Sequence, residues 1–397
     1  MKSYYVISST EGCATNLQEN NSYRKDYEAA GYKASQSAAL ADVILVNTCA
    51  YSQQMETRST DMISEFKKKY PNAEVVVAGC LPKINPQLMK TEFKNVEIKS
   101  LPNLVQFSDS NQFDKIDFEN LSDKHRLVVK ARPIYFAIEK FLKIKFNPLH
   151  NIFKTVIVNE DFHLVTASTG CLGKCTFCAI KRAKGSLRSR PMQTIISEFE
   201  QGLQHNKKLF WLLGDDIGCW GIDLNLKISD LLQSMIDIQK EFKVVLNYFD
   251  PHYLQADTDR LISQLSNAKF IGLNMPIQSG SQRILEKMAR NYDLKHVYKT
   301  IAEIKTKNPA VAIKTNIIVG FPGETWSDFF KSAWSIRHFD AILALKFTPR
   351  PQTPAALMQN QVPETIKIAR MAMINILILR RHIWVSISSL FNIETVC

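Results

Sequence analysis

Residues 169–185 read TGCLGKCTFCAIKRAKG, and they gather three of the chain's eight cysteines into eight positions. Cys171, Cys175 and Cys178 have the spacing C-x3-C-x2-C. The run before them, HLVTAST at 163–169, has the apolar, β-branched character of a buried strand. In parallel α/β folds, the loops leaving the C-terminal ends of strands form the active face. Thiolates three or four residues apart on such a loop can converge on one metal centre. Held by three thiolates, a four-iron cluster keeps one iron without a protein ligand. Catalytic zinc sites with three protein ligands keep the same kind of open position. The competing reading is a structural zinc loop, which needs a fourth ligand. His163 is the nearest candidate and lies inside the strand, so the context favours the open cluster.

Downstream, five more short apolar runs repeat the strand pattern. They are LFWLLG (209–214), KVVLNY (243–248), KFIGLNM (269–275), VAIKTNIIVG (311–320) and AILALKF (341–347). Helical segments such as MQTIISEFEQGLQHN (192–206) and ISDLLQSMIDIQKEF (228–242) separate them. Six strand–helix units predict a partial (β/α)6 barrel, since a closed one takes eight.

Upstream, YYVIS (4–8), DVILVN (42–47) and AEVVVAG (73–79) read as buried parallel strands alternating with helices. The fold class is therefore α/β: an N-terminal open parallel α/β sheet followed by the partial barrel. The expected division is 1–108 for the first domain, 109–158 for a linker, 159–350 for the barrel and 351–397 for a helical tail. Cys13, Cys49 and Cys80 each stand at or just past the end of a first-domain strand. Ends of parallel strands share one sheet edge, so these three form a second candidate metal site. Three unrelated buried cysteines are the plainer alternative. Cys219 and Cys397 read as ordinary thiols.

The chain has 397 residues, 50 Lys+Arg against 38 Asp+Glu, and a net charge of +12. That balance favours an anionic partner such as nucleic acid. The N-terminus shows no signal-peptide pattern, and no apolar run is long enough for a membrane span. The cytoplasm is the expected location, where clustered cysteines mean metal or catalysis rather than disulfides.

Taken together, these motifs resemble the radical S-adenosylmethionine methylthiotransferases. GCATN, VNTCA and GCLPK are similar to that family's N-terminal domain, and GCLGKCTFCAIKRAKGSLRSRP to its cluster loop. PIQSGSQRIL (276–285), MARNY (288–292) and IVGFPGETWSDF (318–329) resemble its later barrel motifs. The resemblance implies two four-iron-four-sulfur clusters, one on Cys171, Cys175 and Cys178 and an auxiliary one on Cys13, Cys49 and Cys80. It implies that S-adenosylmethionine is cleaved by one electron to a radical that takes hydrogen from an unactivated carbon. A methylated sulfur from the auxiliary site is then inserted there. A reductase or flavodoxin-type electron donor is implied as well.

Gly214, Asp215 and Asp216 follow the second barrel strand, where they could meet the methionine moiety of the cofactor. Relatives often carry a longer Gln or Glu at the place of Asp215, and Asp at the place of Asn316. Gln278, Ser279 and Ser281 offer short polar groups after the fourth strand, or alternatively a helix-capping turn. Gly320 follows the fifth strand, where glycine permits close backbone approach. Lys181, Arg182, Lys184, Arg188 and Arg190 leave the cluster loop and suit an RNA backbone, or else form a solvated basic loop. The family acts on adenosines beside the tRNA anticodon or on a ribosomal protein. NTCAYSQQMETR (47–58) and the cluster loop look most like the threonylcarbamoyl-adenosine branch, making tRNA the expected partner. A peptide substrate and a non-catalytic iron–sulfur, RNA-binding relative are the alternatives. The family's C-terminal RNA-binding TRAM barrel is not recognisable in the tail.

Overall fold

The computed structural model describes residues 1–10, 14–102 and 162–390. Cys13, Cys397 and the expected linker at 109–158 lie outside them.

Five parallel strands make the first sheet: β1 (Ser3–Ser8), β2 (Lys33–Ala34), β3 (Val43–Thr48), β4 (Glu74–Gly79) and β5 (Glu97–Ile98), in the order β2-β1-β3-β4-β5. β1, β3 and β4 are the three strands read from the sequence. β2 and β5 are two-residue edge strands whose exposed residues carry no apolar run, so the pattern does not reveal them. Every residue of β3 is buried, as expected for a central parallel strand covered on both faces. Full burial of Ile44, Leu45 and Val46 is worth about 1.5–3 kcal/mol each. In the helix Gln53–Lys69, the Ser52 hydroxyl accepts from the Met55 amide, and Lys67, Lys68 and Lys69 stand in the last turn. Both ends therefore suit the helix dipole.

The second sheet is also parallel throughout and holds all six strands read from the sequence. They are β6 (Phe162–Thr166), β9 (Leu209–Leu213), β10 (Lys243–Leu246), β11 (Phe270–Asn274), β12 (Ala312–Val319) and β13 (Ala341–Lys346), in the order β13-β12-β11-β10-β9-β6. A small antiparallel ribbon of β7 (Ser168–Thr169) and β8 (Arg188–Ser189) brackets the cysteine loop. The sheet stays open, because β6 and β13 are its two edges.

The helix Glu364–Leu390 packs along β13. Its Arg370 pairs with the buried Glu324 at 2.6 Å. No helix among the described residues is long and apolar enough to cross a membrane.

Three features join the sheets. Ala179 and Ala183, beside and within the helix Ile180–Lys184, enter the core cluster that contains Cys80, Leu81 and Ile84. Arg182 donates to the carbonyls of Ile84 at 3.3 Å and Pro351 at 2.8 Å. Arg350, 1% exposed, pairs with Glu56, 5% exposed.

Candidate metal and cofactor centre

Because both sheets are parallel, the ends of their strands line up. The loop 170–178 leaves the β6–β7 end of the second sheet and is tied down at several points. The Thr176 amide donates to the Met288 carbonyl at 3.1 Å, and its hydroxyl donates to the Lys287 carbonyl at 2.9 Å. The Ala355 amide donates back to the Thr176 carbonyl at 2.9 Å. Lys181 Nζ donates to the carbonyls of Leu172 and Gly173 at 3.3 and 3.1 Å. A Cβ at Gly173 would meet Cys171 Sγ at 3.1 Å and Cys175 Sγ at 3.6 Å, so glycine leaves two thiols space on one side of the loop.

The thiols differ in acidity. Cys171 is drawn down to about 7, chiefly because it shares a hydrogen bond with Cys219, with help from the Gly173 amide. Cys219 is pushed up by the same interaction and by burial, and its thiol donates to the Asp216 carbonyl at 3.1 Å. Burial pushes Cys175 up to about 11, against the pull of the Arg290 guanidinium. Cys178 is pushed up by burial as well. Three soft thiols on an anchored loop, beside a buried guanidinium, are a suitable donor set for an iron–sulfur cluster. Among the described residues, no three His, Cys, Asp or Glu side chains stand ready-made around a single ion.

Around this loop, Gly214, Asp215 and Asp216 follow β9. A Cβ at Gly214 would lie 2.8 Å from Ser168 Oγ, which leaves no room for a side chain. Asp215 accepts from the Gly170 amide at 2.8 Å, and burial raises its pKa. Asp216 is raised further by burial, Asp250 and Cys171. It accepts from the amides of Gly218 and Asp250 at 3.1 and 3.2 Å. Ser168 Oγ, Asn274 Oδ1, Gln278 Oε1 and Asn316 Oδ1 are buried without a hydrogen-bond partner in the protein. All four lie in or after strands of this sheet, and unsatisfied buried acceptors of this kind suit a polar ligand such as S-adenosylmethionine.

Gln278 adopts a positive φ of 65° and bridges to Ile317, which fixes its place at the strand end. Ser279 and Ser281 are engaged elsewhere. The Ser279 hydroxyl meets Ser332 Oγ at 3.2 Å, and the Ser281 hydroxyl donates to Asp328 at 2.6 Å. They lock the turn against the helix Trp326–Ser335, in keeping with the turn reading of QSGS. Gly320 donates its amide to Glu324 at 2.7 Å, and the backbone comes close to Lys367, whose Cγ lies 2.4 Å from where a Cβ would stand.

The five basic residues divide by burial. Lys181 and Arg182 bind backbone carbonyls. Arg190 is buried and pairs with Glu198 at 2.6 Å. Lys184 is 8% exposed and pairs with Glu19, itself 1% exposed. Only Arg188 of the five is exposed. The sequence pattern KRAKGSLRSR looks like a uniform basic loop because spacing does not reveal which cations meet carboxylates from distant elements.

At the first sheet, Cys49 and Cys80 are buried directly after β3 and β4. The Cys49 amide donates to the hydroxyls of Ser9 and Ser59 at 3.0 and 3.1 Å. The Cys80 amide donates to the Thr48 carbonyl at 2.9 Å. The two described thiols thus share one edge, and Asn47 Oδ1 beside them has no partner.

Arg290, Asp250 and Cys219 were not singled out from the sequence as site residues. Arg290 lies in the quoted MARNY motif, while Asp250 and Cys219 carry no local signal.

The chain thus carries two parallel α/β units, each with thiols at its strand ends. Residues 165–333 match the Radical SAM superfamily, and residues 5–99 match the uncharacterized protein family UPF0004. The tRNA-2-methylthio-N(6)-dimethylallyladenosine synthase of Sulfurihydrogenibium sp. is 29% identical over 90% of this chain and 80% of its own length. The probable threonylcarbamoyladenosine tRNA methylthiotransferase of Pyrococcus abyssi is 27% identical over 87% of this chain and 77% of its own. Over most of its length the chain is thus similar to curated tRNA methylthiotransferases, and it carries a Radical SAM domain at 165–333. Among solved structures, the radical S-adenosylmethionine methyltransferase TsrM from Kitasatospora setae aligns with a TM-score of 0.57 at 12% identity. The alignment covers 90% of this chain and 77% of that one, a likeness of fold.

Proposed function

We propose that the protein inserts a methylthio group at C2 of a modified adenosine beside the tRNA anticodon, with threonylcarbamoyl-adenosine as the modified base. The observation that carries this reading is the pair of thiol-bearing strand edges, Cys171–Cys175–Cys178 on one sheet and Cys49–Cys80 on the other. Cys13, outside the described residues, completes the second set in the sequence.

When bound, two clusters and S-adenosylmethionine supply hydrogen abstraction at an unactivated carbon and the sulfur that replaces the hydrogen. The chain's own residues do the rest. Cys171, Cys175 and Cys178 hold the first cluster, and Arg290 offsets the negative charge of the thiolates. Gly214 lets Ser168 Oγ come close at the end of β9. Asp215, Asp216, Gln278 and Asn316 present polar groups toward the cofactor, and Ser279 and Ser281 keep the turn at Gln278 rigid. Cys49 and Cys80, with Cys13, hold the auxiliary cluster. A target base must leave its stack to reach chemistry this deep, and the exposed Arg188 offers a phosphate contact on the way.

The test is to reconstitute the protein without oxygen and assay it on anticodon stem-loops. These would carry threonylcarbamoyl-adenosine, dimethylallyl-adenosine or unmodified adenosine. Mass addition of a methylthio group on the first alone supports the reading. Addition on the second alone moves the protein to the other branch. Addition on neither, with S-adenosylmethionine still cleaved, points to a peptide substrate.

A further inference from the structure

Lys184 stands where the two sheets meet. It ends the short helix Ile180–Lys184, six residues past Cys178, yet its side chain turns inward. Its Nζ forms an ion pair with Glu19 of the helix Ala14–Ala29, a first-sheet element. Glu19 is itself held, accepting from Asn47 Nδ2 at 3.2 Å next to the end of β3. Burial works against the Lys184 charge, but the acidic groups of Glu19, Cys80 and Asp215 around it outweigh that effect. The ammonium is paired with Glu19 alone, but its charge reaches the Cys80 thiol of the first sheet and the Asp215 carboxylate of the second.

A buried ion pair is weak evidence of stability. Desolvation costs several kcal/mol per ion, and apolar side chains of equal volume serve as well or better. Among the other inward-facing cations of this loop, Lys181 and Arg182 bind backbone carbonyls, Arg182 reaching Ile84 of the first unit, and Arg190 pairs with Glu198 of its own sheet. Lys184 is the one among these that pairs with a first-sheet carboxylate, and that carboxylate, Glu19, is held by Asn47 at the end of β3, while the neighbouring Ala183 packs in the core cluster that contains Cys80. In a low-dielectric interior a fixed charge acts strongly on its neighbours. Cluster potentials respond to nearby charge and hydrogen bonds.

We propose that Lys184 is a positioning residue for the auxiliary site: pinned by Glu19, its ammonium supplies the positive field at the Cys80 edge and so sets the reduction potential of the cluster held there. This rests on the proposed function, since it needs a cluster at that edge. The radical-generating loop and the sulfur-bearing edge are then joined by one charge as well as by packing.

The experiment uses full-length protein in which Cys171, Cys175 and Cys178 are replaced by Ala, so that the first-sheet edge alone can hold iron. It is reconstituted anaerobically, its iron is counted, and its midpoint potential is read by EPR-monitored titration. Lys184→Met, Lys184→Arg and Glu19→Gln are then added singly. The expected result is a more negative potential for Lys184→Met, a more positive one for Glu19→Gln, and little change for Lys184→Arg. A merely structural role would lower iron content or thermal stability without opposite shifts from the two halves of one pair. If Lys184→Met does not fold, the sign of the Glu19→Gln shift decides. A parent without iron overturns the proposed function and this inference with it. Iron present, with the potential unmoved or moved the same way by both substitutions, overturns this inference alone.

Discussion

Arg290 places Nη1 3.7 Å from Cys175 Sγ while the same guanidinium holds Asp250 in an ion pair and donates to the Pro276 carbonyl at 2.8 Å. One buried cation thus ties the cysteine loop to the ends of β10 and β11.

Removing that cation leaves the half-buried Asp250 without its partner. Arg290→Gln is expected to cost about 3–5 kcal/mol in urea unfolding of the metal-free protein. Arg290→Lys should cost less, because it keeps the charge but loses the fork geometry. An unchanged urea midpoint for Arg290→Gln would show that the pair does not hold the loop.

Arg350 and Glu56 make the same kind of contact between the two sheets. Arg350→Ala strands Glu56 and is expected to cost about 3–5 kcal/mol, whereas the double replacement Arg350→Met, Glu56→Leu should recover most of that loss. The check is a double-mutant cycle on the metal-free protein. Additive losses would mean the two residues act independently.

His163 gives the fold an acid sensitivity. Burial, aided by Lys207 and His205, lowers its pKa from 6.5 to about 4, with Glu198 3.9 Å away and the ring edge-on to Phe210. Between those values the unfolded chain binds the proton and the folded chain does not. The stability from a neutral His163 is intact above pH 6.5 and is lost as pH falls toward about 4. His163→Phe is expected to lessen the fall in urea midpoint between pH 7 and pH 5, and an unaltered slope would contradict the assignment.

Gly79 immediately precedes Cys80, and its backbone leaves no alternative. Its φ is +90°, and an added Cβ would stand 2.2 Å from the Thr48 carbonyl oxygen, which belongs to the neighbouring strand. Gly79→Ala is expected to cost about 3 kcal/mol and to disturb iron binding at the first edge. Gly31 shares the positive φ but faces open space, so Gly31→Ala should cost only about 1 kcal/mol. Equal losses at the two sites, measured by thermal unfolding, would refute the steric account.

The strands were legible because parallel strands buried on both faces leave unbroken apolar runs, as DVILVN and LFWLLG do. The burial of Cys49 and Cys80 directly after β3 and β4 follows the strand reading, because strand ends fix which sheet edge a residue joins. β2 and β5 were not, since two exposed residues carry no periodicity. Arg290 and Cys175 are 115 positions apart, and no local pattern announces a contact of that span. Lys184 misleads in the opposite way. It reads as one of a run of cations facing RNA or solvent, and only the folded chain brings Glu19, 165 positions away, to meet it. Ser279 and Ser281 follow β11, but their hydroxyls are spent on Ser332 and Asp328 rather than left free for a ligand.

The most direct test of the account is iron and sulfide per chain after anaerobic reconstitution, with and without Cys171, Cys175 and Cys178 replaced by Ala. Two clusters on separate thiol triplets predict about eight irons falling to about four. About four irons, all lost in the triple replacement, would leave a radical enzyme without a sulfur-bearing site. Zinc in place of iron would contradict the account as a whole.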